Sequence, residues 1–493
     1  MKPNLKILVT FLGVMLISAG GCRRALDINQ NPNIATAAPP ELLLPSAQVQ
    51  IASAVGVDMQ IYGSYWAQYW TQSPAASQYR NIERYSPSAS DFDNVWLLLY
   101  SGALKDLQQM QLQANNLGRP HYAGIGKLLT AYTFQLITDV WGDVPFTEAL
   151  RGSPSEGLIL SPKYDAQSVI YDHLLRMVDT GISLMTRNDP KSPGSDDLIY
   201  HGDANTWIAF GNSLKLKMLM RMSYVDPGRV TSEISGLAGP FLEEGEDALI
   251  SFSATAGNRN PLSAEIQALN YVTNIVASKT SIDSLLANQD PRIDIFYEPS
   301  DAGQIGLEQG NYNATPGIPL SLPGAVTGAN TNLNTVTEII AGRSAAVKLL
   351  TSYETYFLRA EAAARNFIAG NAQDLFESGI RANFSTYGLS DSLADAYIAN
   401  SYWGQYPSGG SVEEQVRHII TQKWFSMNGT QGVEAWTELR RTGYPDFLPF
   451  SVTSLIGANR PQRFFYPSVE LTRNQNFPGQ KGITEPVWWD VKQ

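Results

Sequence analysis

The chain has 493 residues, of which 43% are hydrophobic and 10% aromatic, so it carries enough apolar material for a large core and is not disordered as a whole. Charged residues make up only 16%, against about 25% in an ordinary soluble domain, which leaves much of the polar surface to Asn, Gln, Ser and Thr. The 46 acidic residues outnumber the 35 basic ones and no Lys/Arg run exceeds two residues, which excludes a phosphate-neutralising surface and hence a nucleic-acid partner. One cysteine, Cys22, and four scattered histidines rule out an internal disulfide and a thiolate metal cluster, and leave a His-built metal site on one helix unsupported.

At the N-terminus, Lys2 and Lys6 precede an apolar run, Ile7–Ile17, and the small residues Ser18-Ala19-Gly20-Gly21 lead into Cys22. This pattern predicts an export signal over residues 1–21. The run is too short to span a bilayer, which takes about 20 apolar residues, and no later uninterrupted apolar segment reaches that length. Ala19-Gly20-Gly21-Cys22 resembles a bacterial lipobox, which implies acylation of Cys22 and anchoring through several acyl chains. Residues 22–40, with Asn31-Pro32-Asn33 and Pro39-Pro40, read as a tether, and residues 41–493 as one interlocked domain.

From Glu41 onward helical periodicity recurs. Apolar residues near i, i+3, i+4 and i+7 predict helices over Phe92–Asn115, Gly124–Val140, Ala166–Met185, Thr206–Tyr224, Ser352–Phe367, Ala372–Tyr387, Val412–Met427 and Gly432–Arg441. Alternating strand-like runs are rare and short. The pair Ser352–Phe367 and Ala372–Tyr387, joined at Ala369-Gly370-Asn371, is close to the roughly 34-residue tetratricopeptide period. Such a pair cannot bury its apolar face alone and must stack on neighbours. The expected fold is mostly α: tetratricopeptide-like pairs forming a superhelical scaffold. Gly257–Pro261, Glu298–Ala341, Asn400–Ser411 and Thr442–Gly482, rich in Gly, Pro and Asn, are expected as irregular insertions.

Several blocks resemble one family. They are Asp27-Ile28-Asn29-Gln30-Asn31-Pro32-Asn33, Asp139-Val140-Trp141-Gly142-Asp143-Val144-Pro145-Phe146, Tyr164-Asp165-Ala166-Gln167, Ser352 through Glu361, Gln422-Lys423-Trp424, Glu434-Ala435-Trp436 through Arg440-Arg441-Thr442-Gly443-Tyr444-Pro445, and Trp488-Trp489-Asp490. Their order and spacing resemble the SusD/RagB outer-membrane lipoproteins of Bacteroidota, most closely the second SusD-like subfamily. The resemblance implies a nutrient-binding lipoprotein, without catalysis or a cofactor, that sits on a SusC-like TonB-dependent outer-membrane transporter and hands it a glycan or peptide.

No Gly-x-Ser-x-Gly, His-Glu-x-x-His, Gly-x4-Gly-Lys-Ser/Thr or Gly-x-Gly-x-x-Gly motif marks an enzyme. Two rival readings stay open, a secreted helical glycoside hydrolase or lyase, whose two carboxylates need no local signature, and a tetratricopeptide protein-binding scaffold. Sugar rings need flat apolar faces and fixed hydrogen-bond partners, and two aromatic clusters offer them. In the first, Tyr62, Trp66, Tyr69 and Trp70 recur at helical spacing and read as core, leaving Tyr65, Gln68, Gln72 and Tyr79 as candidates for an exposed face. In the second, Tyr402-Trp403-Gly404-Gln405-Tyr406-Pro407, helix breakers exclude a helical stripe, so Trp403 and Tyr406 either contact ligand or anchor the loop. The group Trp436, Arg440, Arg441 and Tyr444 reads as structural.

Overall fold

The computed structural model describes residues 38–268, 273–315, 317–324 and 342–492. The predicted signal, Cys22 and most of the tether lie outside the described residues, as does part of the Glu298–Ala341 insertion. The first described helix runs from Pro40 to Trp66 and contains one wider π turn at Val55–Met59. Periodicity gives it little signal because it is apolar nearly all round. It is long and apolar enough to cross a membrane, yet 61% of its most apolar window is buried against the rest of the protein, as in a core helix.

The eight helices expected from periodicity all form. Phe92–Asn115 becomes Asp93–Asn116 with a π stretch at Leu98–Leu104, and the others run Pro120–Trp141, Gln167–Met185, Ala204–Arg221, Ser352–Ala364, Ala372–Thr386, Val412–Ser426 and Gly432–Thr442. Their starts are written locally. Asp203, Thr351, Asn371 and Ser411 each cap a helix by accepting from a backbone N–H two or three residues on. The Ser352 helix ends early because Asn366 takes a left-handed backbone, turning the chain toward its antiparallel partner.

The helices stack in sequence. Pro120–Trp141 packs on Gln167–Met185, that helix on Ala204–Arg221, the latter on Ser352–Ala364, and Ser352–Ala364 on both Ala372–Thr386 and Val412–Ser426. This is the superhelical scaffold of tetratricopeptide-like pairs. Among the described residues four two-stranded antiparallel ladders fasten loops to it: Trp70–Gln72 with Ile275–Ala277, Val144–Pro145 with Tyr164–Asp165, Ala248–Ile250 with Val347–Leu350, and Tyr297–Glu298 with Leu322–Pro323.

Where the stacked helices meet, the core is ionic. Glu434 receives Arg221 at 2.7 Å, Lys217 at 3.0 Å and Lys423 at 3.4 Å. Arg441 spans Glu361 and Glu438, both at 2.6 Å, Lys217 also holds Glu354 at 3.0 Å, and Arg221 reaches Glu438 and Asp139. Arg365 completes the set on Glu361. Burial alone would push the carboxyls of Glu434 and Glu438 up, but the surrounding cations outweigh it and hold both well below the usual range. Glu354, Glu361, Lys423, Glu434 and Arg441, drawn from three of the blocks quoted above, are thus joined in one buried lattice.

Candidate functional site

Tyr65, Gln68, Gln72 and Tyr79 are all buried, which corrects the expectation that they form an exposed face. The reason is that the chain leaves the first helix at Trp66 and turns back into the interior, where Trp70–Gln72 pairs with Ile275–Ala277. Their polar atoms clamp loops instead. Gln72 Oε1 accepts from the backbone N–H of Tyr79 at 2.6 Å, and Gln72 Nε2 donates to the carbonyl of Asn274. Gln68 donates to the carbonyl of Pro449 and accepts from Thr280, and the Tyr65 ring packs on Tyr79 at 5.5 Å.

The hub beneath these loops is Glu83, which no sequence signal singled out. One carboxylate oxygen accepts from the Thr71 hydroxyl, from Gln72 N–H at 2.9 Å and from Gln309 Nε2 at 3.2 Å. Burial pushes its pKa up to about 7, because the hydrogen bonds recover only part of the lost hydration of the anion.

Glu83 therefore ties its own segment, 79–85, to Thr71-Gln72 and to segment 308–313, and segment 449–460 joins them through the backbone. Val452 N–H donates to Gln309 O, and Leu455 N–H to Arg84 O. On the outside of this junction the Arg80 guanidinium lies 4.6 Å over the half-buried Tyr312 ring. The ring of Phe450, 42% exposed, carries the Arg460 guanidinium at 4.7 Å, and Val452 and Leu455 are exposed beside it.

The Asn400–Gly410 loop divides its aromatics. Trp403 is buried among Tyr402, His418 and Phe447, with ring centroids 4.8, 4.9 and 5.9 Å away, and the Arg417 guanidinium sits over it at 5.1 Å. Tyr406 is half-buried, packs on Phe376 and donates to Gln415 Oε1 at 2.9 Å. Of the two roles left open for this pair, the contacts are those of loop anchors. Tyr402, passed over in the sequence because only its neighbours stood out, is 59% exposed and offers its ring to solvent.

Arg417 pairs with Asp446 at 3.0 Å. Asp446 also stands at the mouth of a cleft of about 240 Å³, whose inner wall is the buried Trp66, Tyr85 and Trp436 and whose sides carry Arg440, Arg460 and Lys492. Tyr402, the cleft and Phe450 thus follow one another along connected loops. Among the described residues no group of three or more His, Cys, Asp and Glu side chains could hold a metal ion.

Comparison with known proteins locates this architecture. A comparison with curated protein sequences finds no match. Among solved structures, a chitin-binding protein superposes with a TM-score of 0.74 at 23% identity, covering 91% of this chain and all of that one. A SusD homolog from Bacteroides uniformis gives 0.74 at 23%, covering 91% and 99%. A chitin-binding SusD homolog from Flavobacterium johnsoniae gives 0.71 at 22%, covering 91% and 99%. At these identities the likeness is one of fold. The family model SusD-like_2, described as starch-binding and associating with the outer membrane, matches residues 32–467, and the chain belongs to that carbohydrate-binding family.

Proposed function

We propose that this protein captures oligosaccharide at the outer membrane and passes it, chemically unchanged, to a SusC-like TonB-dependent transporter. The observation that carries the reading is a set of rings on clamped loops, Tyr402 and Phe450 exposed and Tyr312 half-buried, with Arg460 over Phe450 and Arg80 over Tyr312. Such rings pack on the C–H faces of a pyranose while guanidinium and amide groups meet its hydroxyls. The family description supports a glycan and an outer-membrane setting, and the names of two structural neighbours support chitin-type oligomers as the first probes. The anchor in this reading is acylated Cys22 after removal of residues 1–21, with residues 22–40 as tether and 41–493 as the binding domain.

Titration calorimetry with chito-oligosaccharides, malto-oligosaccharides and mixed peptides tests capture. Saturable binding of a glycan without new reducing ends is the expected result. Reducing ends appearing in proportion to protein would turn the reading to a glycosidase, and binding of peptides alone would reassign the nutrient. Affinity purification from native membranes should recover a large TonB-dependent barrel, and recovery of soluble proteins only would favour a protein-binding scaffold. Cys22→Ala should leave the protein unprocessed or released from the membrane. Normal processing with full membrane retention, in cells lacking the transporter, would remove the anchor from the reading.

A further inference from the structure

The cleft beside Tyr402 and Phe450 carries Arg440, Arg460 and Lys492 against a single lining carboxylate, Asp446. Everywhere in the buried lattice a guanidinium faces carboxylates directly. Arg440 and Arg460 do not: among the described residues neither has a carboxylate oxygen within 4 Å. Arg440 Nη1 donates to the carbonyls of Asp139 and Gln462 at 2.9 and 2.8 Å, and Nη2 to the Thr437 hydroxyl at 2.9 Å. Arg460 donates only to the carbonyls of Leu448 and Pro449. Arg440 is 4% exposed and stacked on Trp436 at 3.7 Å, and its Nε–H makes no hydrogen bond. Burial pulls the Arg440 pKa down to about 9 despite Asp490 and Asp139 at longer range, and lowers that of Arg460 too. A desolvated cation without a counter-charge is costly, and an anion entering the cleft would relieve two at once.

A second feature narrows the ligand. Gln462, which also lines the cleft, has a buried amide Oε1 with no donor. An anion without a hydrogen-bond donor, such as chloride or acetate, could satisfy Arg440 Nε–H but not this acceptor. A ligand with both a carboxylate and hydroxyl groups satisfies the two together, and Trp66, Tyr85 and Trp436 give it an apolar wall. Lys492, engaged with Glu413, adds positive potential at the rim.

The geometry points to an acid-selective subsite, in which Arg440, Arg460 and Gln462 receive the carboxylate and a hydroxyl of a uronate-type sugar. This inference rests on the glycan-capture reading and specifies its ligand. The test is titration of the full mature chain with glucose and with glucuronate, and with neutral and uronate-containing oligosaccharides, following calorimetric heat and tryptophan fluorescence. Glucuronate should bind at least tenfold more tightly than glucose, and the preference should shrink with added salt. Arg460→Gln, at a partly exposed position, should erase the preference with an unchanged melting temperature. Gln462→Leu should weaken glucuronate severalfold while leaving the response to acetate, a carboxylate without hydroxyls, unaltered. Equal affinities for glucose and glucuronate, or a preference that survives Arg460→Gln, would overturn the subsite while leaving neutral capture standing. Acetate binding as tightly as glucuronate would also overturn it, in favour of a plain anion site. Failure of every oligosaccharide, neutral and acidic, would remove the capture reading and the subsite together.

Discussion

Glu83 provides the most direct check on how the loop face is held. Its carboxyl titrates near 4.5 when the chain is unfolded and at about 7 in the fold, where burial disfavours the anion. Below pH 4.5 both states are protonated and the site costs nothing. As pH rises from 4.5 to 7 the unfolded chain releases this proton while the fold still holds it, so the group lowers stability across that window. The shift corresponds to a loss of about 3 kcal/mol, fully developed above pH 7. Glu83→Gln keeps an acceptor for Thr71, Gln72 N–H and Gln309 but cannot ionise. In urea unfolding followed from pH 4.5 to 8, variant and parent should coincide at the acid end. By pH 8 the variant should be the more stable, by up to about 3 kcal/mol less whatever the charged hydrogen bonds contribute. Parallel curves across the range, or a variant weaker at pH 8, would show that the hydrogen bonds fully compensate the anion.

The scaffold and the loops make separate predictions. Glu434→Ala leaves Arg221, Lys217 and Lys423 short of a counter-charge in a closed interior, so unfolding should lose about 3–5 kcal/mol; a loss under 1 kcal/mol would mean water reaches the lattice. A β-carbon on Gly63 would stand 2.1 Å from the backbone nitrogen of Val433, so Gly63→Ala should cost about 1–3 kcal/mol as the two helices are forced apart, and an unchanged denaturation midpoint would refute the close approach. Trp403→Ala should lower stability by about 3–5 kcal/mol, whereas Tyr402→Ala should leave the melting temperature in place and weaken oligosaccharide by about 1–2 kcal/mol. Calorimetry and thermal unfolding on both variants separate anchor from contact, and the reverse pattern would exchange their roles.

The contrast between scaffold and loops also explains what the sequence could say. Helices such as Ser352–Ala364 announce themselves within a few residues, through Thr351 as cap and an apolar stripe, because every determinant is local. The Pro40–Trp66 helix escapes the same reading because it is buried on most sides and has no polar face to set a period. In the loops the deciding contacts are distant. Gln72 finds its acceptor at Asn274 and Gln68 at Pro449, and neither separation leaves a trace in the surrounding residues. A neutral amide is equally plausible in water or in a buried clamp, so residue type alone misassigned both. Tyr402 and Trp403 are adjacent in a non-periodic loop, and only the rings of His418 and Phe447 decide which one faces inward.

The sparse charge has a physical consequence for recognition. Five cations, Lys217, Arg221, Arg365, Lys423 and Arg441, and five carboxylates, Asp139, Glu354, Glu361, Glu434 and Glu438, lie in the interior lattice, where they neutralise one another. A chain with only 16% charged residues thereby withdraws some of them from its surface. The net charge of −11 is therefore left to the remaining residues, and long-range steering of an anionic nutrient is not what this surface is built for. Selectivity has to come from contact: from ring faces, amides and the few cations left without a counter-charge. Because the helix stack is locked by ion pairs that leave little room for substitution, changes in nutrient preference should concentrate in segments 79–85, 308–313, 400–410 and 443–462. Exchanging those segments between two members of the family should move ligand preference with them, while an exchange of the Gln167–Met185 and Ala204–Arg221 helices should alter stability alone.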